Sequence, residues 1–327
     1  MSQYIDMVLL AFLIVVAIAV TRTLNLFATA VLTGVYSLLM ACVFTVLDAV
    51  DVAFTEAAVG AGISTVLFLA TLSLTTQREK PQHHYNWGAL AAALLTGGAL
   101  VYGTFDMPHF GDPNAPIHQH VAPHYIGVSP DEIGVPNIVT SVLASYRGYD
   151  TLGETAVIFT ACMGVLLLLG REKRTEPAPD RPQVDSETMQ HAMILRVQSK
   201  IFIPLILLFA LYVQFHGDYG PGGGFQAGVI FAAGIVLYGL VNGLDKARAI
   251  IPPNVLHGLV AFGLLLYAGT GLASLFFEGN FLQYRALAHE ATHGEHIGIL
   301  LIELGVGITV ATVMTSIFFS FSGRGRS

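Results

Sequence analysis

Long apolar runs recur along the whole chain and predict membrane-spanning helices. Each run is close to the length that an α-helix needs to cross the hydrocarbon core of a bilayer, which is about 20 residues. The runs lie at residues 5–20, 26–47, 52–76, 87–103, 151–169, 200–215, 225–244, 255–277 and 296–321. We therefore predict an all-α, polytopic membrane protein with about nine transmembrane helices.

The composition agrees with a membrane protein and excludes an ordinary soluble enzyme. Hydrophobic residues make up 54% of the 327 residues and charged residues only 11%, whereas soluble domains average about 25% charged residues. The formal net charge of −7 provides no basic surface for a polyanion, so nucleic acid is excluded as a partner. We expect a multi-pass protein of the cell (inner) membrane, surrounded by the lipid bilayer.

The distribution of Lys and Arg between successive loops predicts the orientation. Cytoplasmic loops of membrane proteins carry an excess of these residues. If the N-terminus lies outside, only Arg147 and Arg285 of the 15 Lys and Arg residues fall on the outer side. One missed or extra helix would scramble this alternation, so we predict an N-out, C-in topology.

Two long connections interrupt the series of spans. Residues 104–150 carry apolar side chains at helical spacing, which predicts an amphipathic helix lying flat on the outer rim, against either the bundle or lipid. Those side chains are Val135, Ile138, Val139, Val142, Leu143 and Tyr146. The same loop is rich in histidine, which we interpret as solvated, with pH sensing as the alternative. Residues 170–199 are charged and contain several prolines, as expected of a linker.

Acidic residues inside or beside the apolar runs are the candidates for an ion path, because ionisable groups in a bilayer are costly and face cavities or the bundle interior. They are Asp48, Asp51, Glu56, Glu154 and Glu303. If the third span is helical from its start, Asp48, Asp51 and Thr55 share one face. Glu56 then lies about 80° round from Asp48 and roughly 7 Å deeper than Asp51. The alternative is that Asp48 and Asp51 cap this helix.

The other two carboxylates also have structural interpretations. Asp150 or Thr151 followed by Glu154 resembles a capping box at the start of the fifth span. Glu303 is seven residues into the predicted last span, about 10 Å along it. Gly305 and Gly307, two and four residues further on, allow close helix packing. No lysine lies at the middle of a span, which favours an accessory or path-lining subunit.

Two local motifs suggest other chemistry. His289 to His293 satisfies the H-E-x-x-H zinc pattern, with His296 as a possible third ligand, but Gly294 is expected to interrupt the helix. Adventitious metal binding stays an alternative, and we expect no resident metal or cofactor. The glycine-rich residues 217–225 lack the Lys-Ser or Lys-Thr of a phosphate loop. We predict a tight, packed hairpin there, with carbonyls exposed to a cation as the alternative.

The motifs together resemble three modules of the Mrp-type multisubunit cation/proton antiporters. Residues 48–62 look like the MbhD module of the large A-type subunit, and residues 147–154 look like the MbhE module that follows it. Residues 216–228, together with residues 303–307, are similar to the B-type subunit, MnhB. The resemblance implies an MbhD-like unit at 1–80, an MbhE-like unit at 81–170, a cytoplasmic linker at 171–199 and an MnhB-like unit at 200–327.

The family implies a secondary transporter subunit, not an enzyme, in a complex that exchanges Na⁺ or Li⁺ for H⁺. The implied partners are large antiporter-like A- and D-type subunits and small C-, E-, F- and G-type subunits. By the resemblance, Glu56 and Asp51 line an ion path in the first module and Glu303 is a weaker candidate in the last. The alternatives are a module of a redox-driven complex such as a membrane-bound hydrogenase, a purely structural subunit, or a zinc peptidase.

Overall fold

The computed structural model describes residues 2–72, 75, 78, 79, 86–169 and 193–323. Within those ranges nine helices are long and apolar enough to cross a membrane, which confirms the predicted multi-pass architecture. They are α1 (Ser2–Arg22), α2 (Leu26–Val46), α3 (Val50–Leu72), α4 (Trp87–Thr104), α5 (Gly148–Leu169), α6 (Met193–His216), α7 (Gly224–Asn242), α8 (Pro253–Phe276) and α9 (Ala291–Gly323).

Part of the predicted linker and several basic residues of the orientation argument lie outside the described residues. The linker prediction covers 171–199, of which only 193–199 are described, as the first turns of α6. The undescribed basic residues are Lys80, Arg171, Lys173, Arg174, Arg181, Arg324 and Arg326. The N-out, C-in topology therefore stays a prediction.

The N-terminal helices are weakly packed against the rest of the chain. Asn25 begins α2, because its side chain accepts hydrogen bonds from the backbone N–H groups of Phe27 and Ala28. Helix α3 packs on α2 and contains a π-helical segment, Ala57–Ser64. Such segments are rare in proteins, and those that occur often lie at functional sites. No residue in the apolar stretch of α4 is buried within the chain.

The loop between α4 and α5 contains short helices, and the predicted amphipathic helix is shorter than expected because Val135 precedes it. The helical turns run over residues 138–146, and the last six of these residues are π-helical. Thr140, Ser141 and Ala144 form the buried side, while Val139 and Leu143 are exposed. Of the predicted apolar stripe, Val135 is buried and Tyr146 packs against the hydrophobic core. The stripe is therefore divided between the protein core and the outer surface of the loop.

Helices α7, α8 and α9 form the core, and glycines set their spacing. A Cβ atom on Gly228 of α7 would lie 2.7 Å from the Gly307 carbonyl of α9. On Gly263 of α8 it would lie 2.6 Å from the Gly305 carbonyl. A side chain at these points would enter the neighbouring backbone, so only glycine allows the close approach. This packing makes α9 the central helix of the bundle.

Three loops meet at one end of the bundle, which we call the loop face: residues 105–147, 217–223 and 277–290. Asn137 hydrogen-bonds the second loop, and Arg285 of the third loop lies near Glu132 of the first. At the opposite end, Arg248 donates to the Phe319 carbonyl across 2.9 Å. These contacts hold neighbouring elements together at each end of the bundle.

Candidate functional site

Glu303 lies where α9 crosses the start of α7. Because α9 begins at Ala291 instead of near residue 296, Glu303 is about 18 Å along the helix, not the 10 Å expected from the sequence. A Cβ atom on Gly217 or Gly223 would lie 3.1 or 3.0 Å from Glu303 Oε1. The carboxylate therefore rests against the backbone of the glycine-rich hairpin.

The start of α7 supplies the electrostatic environment of this carboxylate. Gly223 precedes the helix with a φ of +106°, a conformation that glycine adopts without strain. A Cβ atom on Gly224, the first helical residue, would collide with the Glu303 carbonyl. The first N–H groups of a helix lack intrahelical acceptors and carry partial positive charge, which favours a carboxylate nearby. Glu303 is only partly buried and makes no hydrogen bond to the residues that the structure describes.

The glycine-rich residues form the tight hairpin that the sequence predicted. Within it, the N–H of Gly223 donates to the Val213 carbonyl over 3.0 Å and the N–H of Gly220 donates to the His216 carbonyl over 3.1 Å. The carbonyls of Gly217, Asp218 and Gly220 accept hydrogen bonds from residues 137–140. The alternative of free carbonyls facing a cation is therefore wrong for these three groups.

A hydrogen bond between polar side chains joins the N-terminal and C-terminal parts of the chain. Gln226 Nε2, in the first turn of α7, donates to Thr55 Oγ1 of α3 over 2.8 Å. Gln226 is buried, and its Oε1 would lie 3.9 Å from a Cβ on Gly223. The same Cβ position is 3.0 Å from Glu303 Oε1. Gln226 thus links α3 to the surroundings of Glu303, a role that our sequence analysis missed although its place in an apolar span was a signal.

Glu56 faces a different neighbour from Thr55. A Cβ atom on Gly60 would lie 2.6 Å from Glu56 Oε1 and would collide with Ser37 of α2. Consecutive helical residues point about 100° apart, so Thr55 faces α7 while Glu56 lies between α2 and α3. The structure brings Glu303, Gln226 and Thr55 together, and places Glu56 on a different face of α3, towards α2.

The predictions for the start of α3 need correction. Asp48 has a φ of +58° and lies ahead of the helix, which begins at Val50. It is therefore not on a shared helical face with Asp51 and Thr55. Capping by Asp48 is also wrong, because Ala49 occupies the cap position and no side chain bonds the first turn. Asp51 lies in the first turn, and its carbonyl accepts a hydrogen bond from Thr55.

The capping-box interpretation of Glu154 is wrong as well. Helix α5 begins at Gly148, so Asp150 and Thr151 are already inside it. Asp150 pairs with Arg147, at 2.5 Å between Nη2 and Oδ2, and Thr151 donates to the Leu143 carbonyl. Glu154 is exposed on α5 and takes no part in the Glu303 site.

The two histidines of the H-E-x-x-H pattern do not lie on one helix. His289 precedes α9 and His293 is exposed on its first turn. The expected interruption at Gly294 is wrong, because this residue is helical and packs on the Tyr284 carbonyl. His296 Nδ1 lies 3.5 Å from Asp218 Oδ2. In the described ranges no cluster of three or more His, Cys, Asp or Glu residues has the arrangement of a metal site.

A network of charged groups crosses the loop face, and sequence reasoning missed it. Arg285 lies 3.5 Å from Glu295 and 3.7 Å from Glu132. Tyr146 donates to Glu132 over 2.5 Å and Ser145 donates to Glu295 over 2.7 Å. The hydrogen bond from the Tyr146 hydroxyl lowers the pKa of Glu132, and the Arg285 charge lowers it further by a smaller amount. Burial and the nearby Glu132 raise the pKa of Tyr146 to about 12.

Three known sequence families match successive parts of the chain. They are MbhD, the D-type subunit of MBH, at residues 11–77, MbhE, the E-type subunit of MBH, at residues 90–188, and MnhB, a domain related to the MnhB subunit of Na+/H+ antiporter, at residues 194–316. The putative antiporter subunit mnhB2 of Staphylococcus haemolyticus is 34% identical over 137 residues, which cover 96% of that protein and 41% of this chain. The chain belongs to the MnhB family.

This MnhB-family chain also resembles longer proteins. The probable K(+)/H(+) antiporter A/B subunit of Rhizobium meliloti is 28% identical over 285 residues, or 79% of this chain. The structure of the Mrp complex from Dietzia sp. DQ12-45-1b contains a chain with a TM-score of 0.76 and 26% identity over 98% of this chain. The MnhB-family chain spans 28% of the Rhizobium protein and 35% of the Dietzia chain.

Proposed function

We propose that this chain is a membrane subunit of an Mrp-type antiporter, which exchanges a monovalent cation, Na⁺ or Li⁺, for protons. The names of the relatives support a transporter subunit over an enzyme. One is named for an A/B subunit and another for mnhB2, in agreement with a chain that joins MbhD-, MbhE- and MnhB-like modules. The transported ions are Na⁺ and H⁺, and no further cofactor is proposed.

The observation that carries the proposal is the contact of Gln226 with Thr55 beside Glu303. Polar side chains in membrane helices are costly and usually mark a path for ions or protons. A carboxylate takes up either a proton or a monovalent cation, so Glu303 has the chemistry that exchange requires. Thr55 is adjacent to Glu56, which remains our first candidate for proton or cation transfer in the MbhD-like module, with Asp51 as its neighbour.

The proposed partners are the other Mrp subunits: the large A- and D-type subunits and the small C-, E-, F- and G-type subunits. The uncovered surface of α4 supports an assembly with other membrane chains. We propose an N-out, C-in topology in the cell (inner) membrane, from the distribution of Lys and Arg.

Two other functions are supported by specific observations. The MBH names of two family matches favour a module in a redox-driven membrane complex. The exposed N-terminal helices favour a purely structural subunit that bridges larger chains. Affinity purification from the native membrane in mild detergent, followed by mass spectrometry, separates the first of these, because only a redox complex brings iron–sulfur or nickel subunits with it.

Antiport by the assembled complex tests the proposal directly. The full set of Mrp subunits is expressed with this chain in a host that lacks its own antiporters, and exchange is measured in everted vesicles with Na⁺, Li⁺ or K⁺. We expect Glu56→Gln to lower exchange by roughly 100-fold, the low end for loss of a proton-transferring side chain, with assembly intact. Glu303→Gln is expected to have a smaller effect in the same direction.

Asp106→Asn is the matched control, because Asp106 is an exposed carboxylate outside the spans. It should leave exchange unchanged. Normal exchange in both glutamate variants would show that neither Glu56 nor Glu303 takes part in ion transfer. Loss of assembly in those variants, with exchange lost only for that reason, would favour the structural alternative.

A further inference from the structure

The hairpin beside Glu303 is held from outside by a segment far away in the sequence. Asn137 Nδ2 donates to the carbonyls of Gly217 and Gly220, at 3.0 and 3.1 Å. Thr140 Oγ1 donates to the Gly217 carbonyl over 2.6 Å, and the Asn137 N–H donates to the Asp218 carbonyl over 2.9 Å. Residues 137–140 therefore make four hydrogen bonds to a hairpin that follows them by about 80 residues in the chain.

Both donor side chains are themselves fixed. Asn137 Oδ1 accepts a hydrogen bond from the N–H of Val139 over 3.0 Å, which orients the amide so that both protons of Nδ2 face the hairpin. Thr140 is buried, with 6% of its surface exposed. A donor with a single available orientation loses little entropy when it bonds, so the segment is a preorganised clamp.

The clamped hairpin is a wall of the Glu303 site. Gly217 and Gly223, at the two ends of the hairpin, both face Glu303 Oε1. Neither has a side chain that adjusts to the carboxylate, so the hairpin backbone sets this boundary of the site. Gly217 takes part in both contacts: its carbonyl accepts from Asn137 and Thr140, and its Cα faces Glu303.

We propose that Asn137 and Thr140 are positioning residues for Glu303, acting through the 217–223 hairpin. They keep the hairpin against the carboxylate and so set its exposure to water and ions from the loop face. The clamp lies in the part of the chain that matches the MbhE family, and the hairpin lies in the MnhB-like part.

Carbodiimide labelling of Glu303 tests this positioning without a transport assay. The assembled complex in membrane vesicles open to both sides is treated with a water-soluble carbodiimide and glycinamide, and modification of Glu303 is followed by peptide mass spectrometry. Thr140→Val keeps the shape of the side chain and removes its donor. We expect labelling about three- to tenfold faster, the shift in an opening equilibrium that loss of one net hydrogen bond produces.

The controls separate positioning from damage to the fold. Thr140→Ser restores the hydroxyl and should restore slow labelling, whereas Asn137→Asp loses both donor protons and should label at least as fast as Thr140→Val. Thr104→Val, in an exposed position, should behave as the unmodified chain. Equal labelling in all variants, or failure of Thr140→Ser to restore protection, overturns the proposal.

The effect of the clamp on ion exchange rests on the proposed antiporter function, and it is measured separately. Thr140→Val should change the cation concentration for half-maximal exchange more than it changes complex yield, and Thr140→Ser should reverse that change. If Glu303→Gln exchanges normally, the functional role of Glu303 fails while the labelling result still decides the clamp. If labelling does not change, the clamp fails whatever the antiport result.

Discussion

The first four helices and the last three are all apolar, but they differ in how much of their surface is buried within the chain. In the most apolar 18-residue stretch, 61% of α9 and 56% of α7 are buried within the chain, against 6% of α1 and none of α4. Lipid tails are as apolar as leucine, so hydropathy alone does not drive helices together in a membrane. The difference lies in glycine contacts and buried polar groups, which are concentrated in α7–α9. The C-terminal part therefore defines its own packing, while the N-terminal part leaves its surfaces to lipid or other subunits.

The largest expected difference between the two parts comes from adding a side chain at a glycine. Gly224→Leu forces its side chain into the Glu303 backbone, whereas nothing lies within 4 Å of a Cβ on Gly97 of α4. We expect Gly224→Leu to destabilise the purified chain by about 3 kcal/mol or more, as overpacking with backbone displacement does. Gly97→Leu should stay within about 0.5 kcal/mol of the unmodified chain.

Thermal unfolding followed by fluorescence-detected size exclusion measures both variants under one condition. A large loss of stability in Gly97→Leu would show that α4 is packed in the isolated chain, and the contrast between the two parts would disappear. A tolerated leucine at Gly224 would mean that α7 and α9 separate at little cost.

A medium effect is expected from the charged network of the loop face. Arg285 faces Glu295, whose side chain is only 4% exposed, whereas Arg147 and Asp150 are both at least half exposed. Removing one partner of a buried pair leaves an uncompensated charge, while exposed pairs contribute little. Arg285→Gln should cost about 2 kcal/mol and Arg147→Gln about 0.5 kcal/mol or less. Denaturant titration of each variant checks the difference, and equal losses would contradict it.

The sequence predicts local features of this fold well. Span lengths and the glycine-rich hairpin are encoded by runs and residue types within short windows. Two errors occurred where a helix began earlier than its polar residues indicated, and a third where α3 began only after Asp48. Gly148 starts α5, which leaves Asp150 free to pair with Arg147. Gly294 continues α9 because close packing on Tyr284 favours a glycine there.

Hydrogen bonds between residues that are far apart in the sequence have no such local signal. Gln226 and Thr55 are 171 residues apart, and Thr140 and Gly217 are 77 apart. A single sequence identifies each as a polar residue near or inside a span, but it does not say which of them meet. For the same reason Glu56 and Glu303 were both candidates, and only the structure separates the side of α3 that faces Glu303 from the side that holds Glu56.

The smallest expected effect is the pH dependence contributed by Glu132 on the loop face. Its pKa is lowered below 4.5, mainly by the Tyr146 hydroxyl and by Arg285. A lowered folded-state pKa stabilises the fold above the unfolded value, and the stabilisation is lost as pH falls through the folded value. Glu132→Gln should therefore lower the unfolding temperature by about 1–2 °C at pH 7 and by less below pH 4.5.

The pH dependence of stability contributed by Asp218, at the other side of the loop face, should have the opposite sign. Burial raises its pKa, although the His296 charge opposes that shift. A raised folded-state pKa means that stability is full at low pH and declines as pH rises through the folded value. Asp218→Asn should therefore lose less stability than the unmodified chain as pH rises from 3 to 7, measured in the same unfolding series. A parallel pH response of Glu132→Gln and Asp218→Asn would contradict the separate environments that the loop face gives these two carboxylates.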